Sequence, residues 1–227
     1  MSAVNKSAGA PGAADKRPAR VRRNPEQVRA RILQAAVAEF SDKGLSGARV
    51  DEIARRAGAN KRMLYHYFGD KEALFLAALE SVYAEIRSAE RNLHLGDLQP
   101  DDAMRRLVSF TIDFLSRAPY FVSLLNSENL HKARHLKKSK RIREMHSEMV
   151  SMIEDVLQRG VAAGQFRTGV DPVQLFITIS GIAYFYFSNI HTLSAIFGRR
   201  FTTKAEREER HAHVVEAVMG YLRPEAE

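Results

Sequence analysis

Cysteine is absent from the 227 residues, which excludes disulfides and thiolate metal sites and is compatible with a reducing cytoplasm. Convincing alternation of polar and apolar residues is absent as well, so the sequence predicts an all-α chain. There is no nucleotide-binding loop and no nucleophile motif, and Ser, His and Asp lie scattered rather than at the spacing of a catalytic set. Neither an enzyme nor a bound cofactor is expected. Acidic residues are the scarcer sign: 27 Asp and Glu against 35 Lys and Arg leave a net charge of +8. That excess suits a polyanionic partner, either nucleic acid or an anionic membrane surface. Residues 1–23 lack the apolar run of a signal peptide, and their Ala, Gly, Ser, Pro, Lys and Arg composition predicts a disordered basic tail. Within it, Arg17, Arg20, Arg22 and Arg23 are placed to act as an arm on phosphates or in the minor groove, or to keep the chain soluble.

What the chain does have is the stretch RVDEIARRAGANKRMLYHYFGDK, residues 49–71. Val50, Ile53, Ala54 and Ala57 recur at the three-and-four spacing of a short amphipathic helix, and Gly58 supplies a residue able to turn at positive φ. Asn60 is a good N-cap for a second helix, on which Met63, Leu64 and Tyr67 share one face. A small residue at the crossing, a glycine at the corner and an aliphatic plug on the second helix are what a tight helix pair requires. Lys61, Arg62, Tyr65 and His66 are left facing outward. In a helix-turn-helix the second helix presents such side chains to base edges in the major groove, so Asn60, Lys61, Arg62, Tyr65 and His66 are the predicted DNA contacts. Lys71, at the N-terminus of the following helix, is a natural phosphate contact.

Gly44-Leu45-Ser46-Gly47, Ile53-Ala54, Ala57-Gly58, Leu64-Tyr65-His66-Tyr67-Phe68 and Gly69-Asp70-Lys71-Glu72-Ala73-Leu74 together resemble the TetR family of bacterial transcriptional regulators. The chain departs from the family pattern at Ala48-Arg49, where Thr-Thr is common, and at Arg62-Met63, where Gly-Thr is common. The family's cap and phosphate contacts at the first pair do not carry over residue for residue, and Arg49 is placed in the expected DNA-contacting set as a cation at that position. The resemblance implies about nine helices, with a helix-turn-helix domain over residues 24–70 and a helical ligand-binding and dimerisation domain over 71–227. It also implies a homodimer that meets through the last two long helices of each subunit.

The flanking segments fit that plan. Asn24 and Pro25 suit a helix start, and Val28, Ile32, Ala36 and Phe40 form a four-spaced stripe running to Gly44. Asp70 is a cap for a long helix carrying Leu74, Phe75, Ala78, Leu79, Val82 and Ile86 on one face. Further helices are predicted over 101–117, 120–125, 136–163, 172–196 and 204–221. Apolar residues cover nearly every face of 171–197, so this segment must be buried on all sides; polar interruptions argue against a membrane span. One face toward the core and one toward a second subunit solves the problem, and Val214, Val215, Val218, Met219 and Leu222 fit the second interface helix of the family. The wording of 171–197 is also similar to a branch that includes regulators of pyrimidine and nicotinate breakdown, which points to a small aromatic or heterocyclic effector.

A pocket needs apolar walls with a few polar groups. Phe110, Phe114, Tyr120, Met149, Phe176 and Tyr184 are the predicted ligand contacts, with Phe121, Met145 and Met152 as further walls and Asn126, His131, His146 and Asn189 as polar candidates. Seven Lys or Arg residues between Lys132 and Arg143, with no acid among them, read as a solvated face. His131 and His135 have the spacing of two metal ligands on a helix, but nothing nearby completes a set, so no metal is expected. The function expected is a cytoplasmic, sequence-specific repressor released from a palindromic operator of double-stranded DNA by a small molecule, with no membrane partner. The alternative is an architectural or division-linked DNA binder of the same fold without an effector.

Overall fold

A computed structural model describes residues 24–224. The arm expected from Arg17, Arg20, Arg22 and Arg23 lies outside the described residues. Among those described there are ten α-helices, two single 3-10 turns and no strand. The helix α1 (Pro25–Gly47) starts on Asn24, whose Oδ1 accepts from Glu26 N at 3.0 Å, with proline in the first turn. Its Val28, Ile32, Ala36 and Phe40 are all buried. Gly44, at φ 64° and ψ 177°, interrupts the helical path and turns Leu45 into the core. Then α2 (Val50–Ala57) and α3 (Lys61–Phe68) meet at Gly58, whose φ of 59° makes the corner. The long α4 (Lys71–Arg91) is capped by Asp70, whose Oδ1 accepts from Ala73 N at 2.7 Å.

The remaining helices are α5 (Pro100–Arg117), α6 (Pro119–Leu130), α7 (Lys140–Ala162), α8 (Pro172–Ser188), α9 (Ile190–Phe197) and α10 (Lys204–Leu222). α1 packs on α2, α4 and α6, while α5 packs on α7, α8 and α10, so α4 and α6 join the two halves of the core. Three boundaries differ from the sequence reading, and side chains that bond the backbone set two of them, at Ser139 and Asn189. The helix expected from 136 begins at Lys140, because Ser139 Oγ accepts from Ile142 N (3.2 Å) and donates to Glu80 Oε1 (2.6 Å). The segment expected over 120–125 extends from Pro119 to Leu130. The helix expected over 172–196 breaks at Asn189, whose Nδ2 donates to Phe185 O, and α9 leaves α8 at 67°. No single helix among the described residues is long and apolar enough to cross a membrane.

The apolar stripe of α10 is a further correction. Val214, Val218, Met219 and Leu222 are buried within their own protomer, with Val215 packed against that core. Val214, Val218, Met219 and Leu222 are therefore spent on the fold, while Val215 is only partly covered.

Candidate DNA reader and effector cavity

α3 has eight residues, too few to be stable alone, and its environment holds it. Asn60 Oδ1 accepts from Met63 N at 2.8 Å, Leu64 and Phe68 are buried, and the Arg29 guanidinium of α1 lies 5.0 Å from the Phe68 ring centre. Lys61, Arg62, Tyr65 and His66 all remain exposed, and their i, i+1, i+4, i+5 spacing puts them on one face. Lys61 Nζ is 3.2 Å from Asp51 Oδ1, which ties this face to α2.

Arg49 is the exposed N-cap residue of α2, and its backbone N–H donates to the buried carboxylate of Glu39 at 3.2 Å. That carboxylate also lies 3.2 Å from Arg56 Nη2, so one acid on α1 fixes the start and the end of α2. Glu52 is held at about 2 by hydrogen bonds from Arg55 and then Arg56. Lys71 Nζ donates to Ser46 O at 3.3 Å, joining the start of α4 to the bend after α1.

A cavity of about 520 Å³ lies between α4, α5, α6, α7 and α8, within the range that takes a small molecule. Of the predicted ligand contacts, Met149, Phe176 and Tyr184 line it, as do Phe121 and His146. Phe110, Phe114 and Tyr120 do not. Phe114 is in the core, its ring 5.8 Å from Phe121 and 5.9 Å from Phe110, and the Tyr120 hydroxyl donates outward to Glu85 Oε1 at 2.6 Å. Met145 and Met152 pack against the core outside the lining. Asn126 is engaged by the Tyr184 hydroxyl and by Ser188, Asn189 by Phe185 O, and His131 Nδ1 by Ser127 O. His131 and His135 have their rings 5.9 Å apart, but His135 Nδ1 sits 2.6 Å from Glu128 Oε2, and no cluster of three metal-type ligands occurs among the described residues.

The unanticipated part of the lining includes two buried charged residues. Arg87 and Glu90 occupy one turn of α4 with side chains only 6% and 2% exposed, and Arg87 Nε is 2.9 Å from Glu90 Oε2. Burial pushes Glu90 up to about 7 against the opposing pull of Arg87 and lowers Arg87 despite Glu90. Burial also raises Tyr83 to about 12 and lowers His146, the latter against the hydrogen bond to Ile142 O. The available signal was a pair of charges on an apolar stripe, since Arg87 and Glu90 follow Tyr83 by four and seven residues.

A capped recognition helix with a cationic and aromatic outer face, braced by a helix that continues into the wall of an internal cavity, defines a helix-turn-helix regulator with a separate cavity-bearing body. The family described as "Bacterial regulatory proteins, tetR family" matches residues 32–78, and the "Tetracyclin repressor-like, C-terminal domain" matches residues 100–218. The chain belongs to the TetR family of bacterial transcriptional regulators, DNA-binding proteins and not enzymes. It is 41% identical over 170 residues to the HTH-type transcriptional repressor NicS of Pseudomonas putida, covering 75% of this chain and 80% of that protein. With the HTH-type transcriptional regulator RutR of Escherichia coli K12 it shares 25% identity over 197 residues, 85% of this chain and 89% of RutR. The crystal structure of SCO4942 from Streptomyces coelicolor superposes with a TM-score of 0.64 at 25% identity, over 86% of this chain and 98% of that one.

Proposed function

We propose that the protein is a homodimeric repressor whose two readers, residues 24–70, occupy the halves of a palindromic operator, and that a small aromatic or heterocyclic effector in the α4–α8 cavity withdraws them. Residues 71–227 supply the cavity and the dimer contact, and the site of action is the cytoplasm. The observation that carries this reading is the exposed Lys61, Arg62, Tyr65 and His66 face on a helix whose other side packs on α1, α2 and α4. Such a face delivers donors to base edges without reorganising the helix that bears it. An effector acts only to the extent that it prefers a conformation in which the two readers are mis-spaced. The dimer contact follows from α8: Leu175, Ile179, Ala183 and Tyr186 face inward, while Ile177 and Phe185 are 54% and 57% exposed and apolar. Tyr221 of α10 is exposed as well.

The test is binding of the purified protein to DNA from its own upstream intergenic region and to a scrambled control, across a salt series. Preference for the native DNA by about a thousandfold or more, at two chains per site, is expected. Equal and weak binding of both DNAs would leave only nonspecific charge attraction and would refute a sequence-specific repressor.

A further inference from the structure

We infer that the α4–α8 cavity takes a small aromatic carboxylate, gripped through its carboxylate by the Arg87 guanidinium. This rests on reading the cavity as the effector site and narrows the chemistry of the effector. Arg87 lines the cavity, is almost wholly buried, and has Nε and Nη1 without a hydrogen-bond acceptor among the described residues. Glu90 Oε2 is close to Nε, but the two are not aligned for a hydrogen bond, and this oxygen too is unmatched. A guanidinium does not shed its proton, so its charge persists in the cavity. Glu90, pushed up by burial to about 7, neutralises that charge only in part at neutral pH. A buried cation with unmatched donors beside a space open to a small molecule is complementary to a guest anion, and the planar donor edge of arginine fits a carboxylate.

The rest of the wall selects the guest further. Among the described residues Arg87 is the only Lys or Arg in the lining, so a phosphate dianion would face Glu90 with no second cation there to hold it. The rings of Tyr83, Phe121, His146 and Phe176 form a chain of edge-on contacts along the wall, with centroids 5.2 to 6.0 Å apart. Arg87 lies 5.7 Å from the Phe176 ring centre at the end of that chain. A flat ring attached to the carboxylate would continue these contacts.

The experiment is titration calorimetry on the full chain without DNA, with benzoate and its three monohydroxy forms, benzamide, phenyl phosphate and octanoate as probes. At least one of the ring carboxylates should bind, with benzamide and the Arg87→Met variant each showing affinity reduced about a hundredfold. The Arg87→Lys variant, which keeps the charge and loses the planar edge, should fall about tenfold and serves if Arg87→Met does not fold. Equal binding of benzamide, undiminished binding to the variants, or no binding of any ring carboxylate would overturn the assignment. Octanoate or phenyl phosphate binding as tightly as the best ring carboxylate would overturn the ring or the carboxylate part respectively. Since DNA is absent from the titration, failure here leaves specific DNA binding untouched. Conversely, a carboxylate held by Arg87 that releases no DNA would refute the repressor mechanism alone.

Discussion

Arg62 and Lys71 carry the same charge, yet the structure employs them differently. Arg62 is exposed on the outer face of α3, whereas Lys71 is half-buried and already holds Ser46 O. Lys71→Ala should therefore weaken binding to all DNA sequences alike and lower the slope of log affinity against log salt by about one per protomer. Arg62→Ala should cost about 1–3 kcal/mol and relax preference at one base position, as read by selection from randomised sites. A Lys71 variant with altered sequence preference and unchanged nonspecific affinity would contradict this division. Glu90 carries a different signature. Its folded value of about 7 lies above the ordinary 4.5, so the native state holds the proton more tightly than the unfolded chain. Its contribution to stability is complete below about pH 4.5 and is lost as pH rises toward 7. Glu90→Gln should flatten that decline by on the order of 2 kcal/mol between pH 5 and 8, measured from denaturant midpoints.

Helix starts were the most legible elements, because a cap is a local interaction. Asn24, Asn60 and Asp70 each accept the backbone N–H that their position in the sequence implied. Asn60→Ala should cost about 1 kcal/mol of stability and fray the turn that carries Lys61 and Arg62. Faster amide exchange at the start of α3, with ligand affinity in the cavity unchanged, would show it. Breaks inside apolar runs were less legible. Asn189 reads as one polar residue in a buried helix until its side chain is seen bonding Phe185 O at the bend. The cavity was legible only in part for a similar reason. Met149, Phe176 and Tyr184 stand out by side-chain type, but the α4 stripe was counted by apolar residues and so passed over Arg87 and Glu90. Nor does an amphipathic stripe reveal what covers it, which is why Val214 and Val218 of α10 read as an interface while packing in their own protomer.

At the scale of the whole molecule that last distinction can be tested. Val173→Glu combined with Phe185→Glu touches only exposed α8 residues outside the cavity lining and should give a folded monomer by sedimentation, with operator affinity lost by about a thousandfold or more. Val218→Glu, at a site 1% exposed, should unfold the protomer instead, since a buried unpaired charge has no compensation. A folded dimer from the α8 double variant would move the interface elsewhere. The two halves of the core are in turn bridged by three consecutive residues of α6. Ser127 Oγ accepts from Leu45 N just after the Gly44 bend, Glu128 is buried and accepts from His135 N and Leu136 N, and Asn129 lines the cavity. The cavity lining and the contact to the first helix are thus separated by two peptide units of one helix. In the proposed mechanism a guest that turns α6 at Asn129 would draw the Ser127 hydroxyl away from Leu45 N, so that filling the cavity and shifting the first helix become one event.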